Sequence, residues 1–224
     1  MADLERILVV GDVHGCADEL DDLLRVAGFR AGDRLVFVGD LIAKGPDSAG
    51  VVARARAASA LAVKGNHEAR VLLHAEALRD GREPPKIGKA HRAAAESLSE
   101  ADWDYLFALP YLVELPEHGV LVVHAALDPR RPLDAQDPDV MMNGRSIRPD
   151  GEPSARIEDG VPWGSRWPGP MRVIFGHDAV RKLQVHPFAL GIDTGCVYGG
   201  DLTAVELPSF RRYSVPARQV WCPP

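Results

Sequence analysis

Cysteine, aromatic residues, positive charge and long apolar runs are all scarce in this chain of 224 residues. Its three cysteines, Cys16, Cys196 and Cys222, form an odd set with no Cys-x-x-Cys spacing, which argues against a disulfide framework and against a cysteine-rich zinc site. Reduced thiols in a cytoplasmic protein are the simplest expectation. With a net charge of −6 the chain carries no global positive field to hold duplex DNA or an anionic membrane, so any polyanionic ligand must be attracted locally. The first apolar run, residues 7–10, is far shorter than a signal-peptide core or a membrane span. What remains is a chain with 46% hydrophobic residues, which predicts one domain over 1–224 with a substantial core.

Against that background one pattern recurs. Ile-Leu-Val-Val-Gly-Asp-Val-His-Gly ends an apolar run on Asp12 and His14, and the same ending returns at Leu35 to Asp40 and at Leu61 to His67. Each is a short, buried strand that stops on a metal-binding side chain. In an open α/β sheet the loops beyond the carboxyl ends of the strands converge on one crevice, so Asp12, His14, Asp40 and Asn66 should meet in space. Two further runs deliver His124 and His177 in the same way. Six ligands of hard and borderline type suit two divalent ions, Mn first and Fe, Zn or Co as alternatives, better than a thiolate site or an all-oxygen calcium site. Any one of these endings is weak evidence, since an Asp at a strand end is commonly only a helix cap; five in order are a different matter.

The organisation follows from periodicity. Strands at 7–10, 35–38 and 61–63 alternate with helices at 17–27 and 49–58, which predicts parallel strands with helical crossovers. A further helix is expected at 69–78, and one after Ser99, where Asp102 completes a capping box. The basic stretch 79–92 carries Arg79, Arg82, Lys86, Lys89 and Arg92, and a lid insert is expected around 79–98. Short strands at 111–115, 120–123, 173–175, 189–192, 202–207 and 212–215 predict a second, more antiparallel sheet. Residues 128–170, rich in Pro, Gly, Asp and Arg, read as a long loop.

The motifs Gly11-Asp12-Val13-His14-Gly15, Gly39-Asp40, Gly65-Asn66-His67-Glu68, His124-Ala125 and Gly176-His177 resemble those of the calcineurin-like metallophosphoesterases, in particular the phosphoprotein phosphatase branch. The resemblance implies a four-layer αββα sandwich of two mixed sheets flanked by helices. By it, Asp12 and His14 bind one metal, Asp40 bridges, Asn66, His124 and His177 bind the second, and His67 is the general acid that protonates the leaving oxygen. The second motif departs from the phosphatase pattern: Ala43-Lys44 stands where Asp-Arg is expected, and the absent Asp is the group that orients the catalytic histidine. Lys44 can still hold a phosphate as a point charge. The second motif, Gly39 to Ser48, together with the block Gly191 to Thr203 is similar to the bacterial symmetrical diadenosine tetraphosphatases and their ApaH-like phosphatase relatives, and its lysine form resembles the ApaH-like variant specifically.

What this implies is hydrolysis of dinucleoside polyphosphates, diadenosine tetraphosphate giving two ADP, and of related nucleoside 5′-polyphosphates or capped RNA ends. Arg166, in Pro162-Trp163-Gly164-Ser165-Arg166, stands as a phosphate contact by the same resemblance. Tyr198, and with it Trp163 and Trp167, could stack on a base, with ordinary core packing as the alternative. Lys86, Lys89 and Arg92 could neutralise the outer phosphates, with a solvated face as theirs. A protein serine, threonine or tyrosine phosphatase is the competing function, and a metal-binding module without turnover is a third. Ala43 and the Thr194 to Thr203 block favour nucleotides over phosphoproteins.

Overall fold

The computed structural model describes residues 4–223. β1 (Ile7–Val10), β2 (Arg34–Phe37) and β3 (Leu61–Ala62) are connected by α1 (Ala17–Val26) and α2 (Ser48–Ala57). β1 pairs parallel with β2 and β2 with β3, as helical βαβ crossovers imply. Then follow α3 (Asn66–Arg79), α4 (Lys89–Ser97), α5 (Glu100–Phe107), β4 (Leu112–Leu115) and β5 (Val120–Val123). After these come α6 (Pro138–Asn143), β6 (Ser146–Ile147), β7 (Pro153–Ser154), β8 (Val161–Pro162) and β9 (Arg172–Phe175). The chain closes with β10 (Gln184–Val185), β11 (Ala189–Gly191), β12 (Asp201–Leu207) and β13 (Arg211–Pro216).

Local chemistry sets several of these boundaries. Asp47 caps α2 by accepting the N–H of Gly50 at 2.7 Å. The predicted capping box of α5 is formed, with Ser99 N–H donating to Asp102 and the Asp102 N–H returning to Ser99 Oγ. α6 opens with Pro138 at its first position behind the cap Asp137.

Two five-stranded mixed sheets result, in the orders β13-β12-β1-β2-β3 and β10-β11-β9-β5-β4. One apolar layer lies between them: Ile7, Val9, Val36 and Val38 of the first meet Val120, Val122 and Ile174 of the second. The outer face of the first sheet, with Leu8, Val10, Leu35 and Phe37, packs on Leu20 and Leu23 of α1, Val51 and Val52 of α2, and Leu106 of α5. The outer face of the second, with Leu121, Val123, Val173 and Phe175, is covered by Trp163, Met141 and Leu127. This is the expected four-layer sandwich, its fourth layer built from the short α6, 3-10 turns and the small sheet β7-β6-β8.

Three expectations need correction. β12 and β13 join the first sheet, β12 running antiparallel to β1 from Ile7 opposite Leu207 to Val10 opposite Ala204. The second sheet is not mainly antiparallel, since β11, β9 and β5 are mutually parallel. Residues 128–170 are not structureless: they hold α6, β6, β7 and β8, held in part by ion pairs such as Arg130 with Asp128 and Glu152. Among the described residues no helix is long and apolar enough to cross a membrane.

Candidate active site

Each sheet contributes three parallel strands, and all six end on a polar side chain. β1 leads to Asp12, β2 to Asp40, β3 to Asn66, β5 to His124, β9 to His177 and β11 to Asp193. These ends meet around Asp40. Its Oδ2 lies 3.4 Å from His14 Nε2, 3.5 Å from His124 Nε2 and 4.0 Å from His67 Nε2. Its Oδ1 accepts the backbone N–H of His67 at 3.1 Å. Asn66 Oδ1 lies 3.0 Å from His124 Nε2 and 3.1 Å from His177 Nδ1. Asp12 accepts the N–H of His177 on both carboxylate oxygens, at 3.1 and 3.2 Å.

The backbone is forced to make this cluster. His14, Asp40 and His177 have φ of 48°, 50° and 67°, a left-handed conformation that a non-glycine residue adopts at a cost of about 1–3 kcal/mol unless its surroundings hold it. The surroundings do hold it: the N–H groups of Val13 and His14 both donate to the carbonyl of Asp40. Glu68, fully buried, accepts the N–H groups of Gly65, Asp40, Leu41 and Ile42, fastening the Asp40 loop to the start of α3. A Cβ at Gly176 would overlap the carboxylate of Asp12. Gly176→Ala is therefore expected to displace Asp12, lower stability by about 1–3 kcal/mol and reduce metal content. Denaturant unfolding and metal analysis of that variant check it, and a stable, fully loaded variant would contradict the packing.

Burial decides protonation here. It pulls His14 down to about 3, and lowers His124 and His177 too, leaving neutral imidazoles with free lone pairs. It raises Asp12 well above the usual carboxylate range, helped by Asp193 and Asp40, and pushes Asp193 up to about 7. Asp40 stays well below that range: burial opposes its ionisation, but its neighbours His124, His67 and His14 and the ammonium of Lys44 favour it.

Three carboxylates and three uncharged imidazoles packed in one buried spot call for a cation. Among the described residues the Nε2 of His177 is buried without a hydrogen-bond partner, and the donor set is the oxygen and nitrogen mixture that Mn, Fe, Zn or Co accepts. Two groups of donors, His14-Asp40-His67 and Asp40-His124-His177, each lie within 4.8 Å and share Asp40. The residues fit two divalent ions.

The cluster opens into a pocket of about 550 Å³ whose wall includes Lys44, Arg145, Lys182, Asp193 and Tyr198. Lys44 Nζ stands 3.2 Å from His14 Nε2 and 5.1 Å from the centre of the Tyr198 ring. Of the residues singled out in the sequence, the six candidate metal ligands, His67, Lys44 and Tyr198 therefore come together. Arg166 does not: it lines a separate pocket with Arg130 and Arg148. Lys86, Lys89 and Arg92 are exposed and outside the pocket wall. Trp163 is core, its ring 4.8 Å from that of Phe175, and Trp167 packs beside it.

Sequence reasoning missed three charged residues of this wall, Asp193, Arg145 and Lys182. Asp193 follows an apolar strand just as Asp12 does, so the same strand-end signal would have found it. Arg145 sits in a stretch without periodicity and carries no local signal. Its side chain donates to the carbonyls of His177 and Ala155 at 3.3 and 3.2 Å, and its Nε is buried without a partner among the described residues.

Six polar strand ends between two mixed sheets define a metallophosphoesterase. Residues 5–206 match the calcineurin-like phosphoesterase family, so the chain belongs to that family and is one of its metal-dependent hydrolases. It is similar to the curated bis(5′-nucleosyl)-tetraphosphatase PrpE, asymmetrical, of Halalkalibacterium halodurans, 28% identical with 94% of both chains covered. It is equally similar to the symmetrical bis(5′-nucleosyl)-tetraphosphatase of Aromatoleum aromaticum, 28% identical with 94% of this chain and 97% of the relative covered. A crystal structure provisionally described as a diadenosine tetraphosphatase superposes with a TM-score of 0.86 at 40% identity, covering 96% and 95% of the two chains.

Proposed function

We propose that the chain hydrolyses phosphoanhydride bonds in dinucleoside polyphosphates and related nucleoside 5′-polyphosphates, capped RNA ends included, with two Mn ions at Asp12, His14, Asp40, Asn66, His124 and His177. The observation that carries this reading is the wall of the pocket. Thr194, Gly195, Tyr198, Gly199 and Gly200 line it together with the candidate metal ligands, and three cations, Lys44, Arg145 and Lys182, share that lining. A phosphate monoester needs no such length of positive wall, whereas a tetraphosphate carries charge well beyond the reacting phosphorus. Tyr198 offers a face for a base beside those cations.

Bound divalent ions would lower the pKa of a water and offset the charge on the phosphoryl oxygens. The chain's own residues do the rest. Lys44 holds a phosphate near the reacting end, Arg145 and Lys182 hold those further along, and His67 gives a proton to the departing phosphate oxygen. Relatives named for symmetrical and for asymmetrical cleavage are equally similar, so the cut point is read from products. With diadenosine tetraphosphate and Mn, the symmetrical cut yields ADP alone, our expectation, while the asymmetrical cut yields AMP and ATP. Turnover of a phosphopeptide without turnover of any dinucleoside polyphosphate would replace this reading with a protein phosphatase.

Arg145 and Arg166 divide the phosphate-binding question. Losing a charge-assisted hydrogen bond costs about 1.5–3 kcal/mol, so Arg145→Ala should raise KM for diadenosine tetraphosphate about 10- to 100-fold. Arg166→Ala should leave KM unchanged. The reverse pattern in steady-state kinetics would return the role to Arg166.

A further inference from the structure

His67 lacks the carboxylate that position 43 supplies in phosphoprotein phosphatases, and Ala43 cannot replace it. The ring is nonetheless fixed. Its edge meets the ring of His14 at 80° with centroids 4.8 Å apart, and its face lies parallel to the ring of His91, 8° between planes and again 4.8 Å between centroids. Among the described residues His67 Nδ1 is buried and has no hydrogen-bond partner, so packing and not a hydrogen bond sets its orientation. His91 belongs to α4, inside the insert that packs against α3, the helix on which His67 sits. His91 Nε2 is likewise buried and unpartnered, so the imidazole is not there to satisfy another group.

We propose that His91 is the positioning residue of this active site: its ring stacks on His67 and holds it towards the leaving oxygen, in place of the absent carboxylate at position 43. The inference rests on His67 being the general acid. It also gives the insert a role that its exposed cations, Lys86, Lys89 and Arg92, do not supply. Parallel aromatic contact of this kind fixes ring planes without needing a proton on either partner, so a phenyl ring should serve as well as an imidazole.

The test measures kcat and KM on diadenosine tetraphosphate with Mn for His91→Ala, His91→Phe, His67→Ala and the double variant His67→Ala/His91→Ala. Misplacing a reacting group by a fraction of an ångström costs on the order of tenfold. His91→Ala should therefore lose about tenfold in kcat with KM unchanged, and His91→Phe should recover to within about twofold of the unmodified protein. In the His67→Ala background the second substitution should cost nothing, because a residue that acts only through His67 has nothing left to position. Undiminished kcat in His91→Ala, a phenyl ring no better than alanine, or a further loss in the double variant, including loss from misfolding, would each overturn the proposal. If His67→Ala itself keeps full kcat, the acid assignment fails and this inference with it. If His67→Ala is impaired and His91→Ala is not, the inference alone fails.

Discussion

Asp40→Asn should lose tightly bound metal from both positions and at least about 100-fold in kcat/KM, since even residues that merely support a ligand are worth 10- to 100-fold. The substitution changes charge and almost nothing else. An amide oxygen can still accept the N–H of His67, the 3.1 Å bond that ties the loop to α3, so the fold has no steric reason to fail. What disappears is the negative oxygen that stands within 4.0 Å of His14, His67 and His124 and belongs to both donor groups. Because His124, His67, His14 and Lys44 hold the Asp40 carboxylate below the usual range, removing its charge forfeits a stabilising interaction, offset in part by relieved repulsion with Asp12 and Asp193. Stability in the presence of a chelator should thus be equal to or lower than that of the unmodified protein. With Mn the gap widens: a folded state that binds metal at about 100 times its Kd gains about 2.7 kcal/mol, and the variant should not gain it. Metal analysis, thermal midpoints with and without chelator, and turnover check the three parts. Two metals per chain with a near-normal rate would rule out the shared role of Asp40.

The candidate site was more legible in the sequence than the sheets that build it. A buried run followed by glycine and a ligand is a local signal, complete within nine residues at Ile7 to Gly15, and the rule that strand ends converge does not depend on sheet order. Pairing does. β12 joins β1 across almost the whole chain, and the alternation of residues 202–207 reads the same whichever sheet receives the strand. Arg145 and His91 were invisible for a related reason. Each reaches the site from a polar segment whose own pattern is solvent-facing, so only the tertiary placement of α4 and of the strands beside Arg145 marks them out. Arg166 erred in the opposite direction: its position before the last ligand strand fitted the family's order, while the 3-10 turn that carries it faces a different pocket.

His67→Ala should keep its metals and lose about 10²- to 10⁴-fold in kcat on diadenosine tetraphosphate, the usual worth of general acid catalysis. Metal retention matters because His67 also lies within 4.8 Å of His14 and Asp40, close enough to be a ligand. A variant depleted of metal would make it one. The loss should grow with the phosphate ester of a simple alcohol, since an alkoxide cannot leave without a proton, whereas the phosphate oxygen released on ADP, with a pKa of about 6, needs one less. The proton must also be available. Burial pulls the ring down to about 4 in the free protein, with Asp40 opposing and Lys44 assisting the decrease. Polyphosphate bound beside the ring adds negative charge and raises that value. A group that acts in its protonated form supports turnover below its pKa and loses it as pH rises through it. The alkaline fall of kcat, which reports the complex, should accordingly lie at higher pH than that of kcat/KM, which reports the free protein. His67→Ala should abolish this fall in both. Equal losses on the two substrates, or an alkaline limb that persists without the imidazole, would remove His67 from the proton's path.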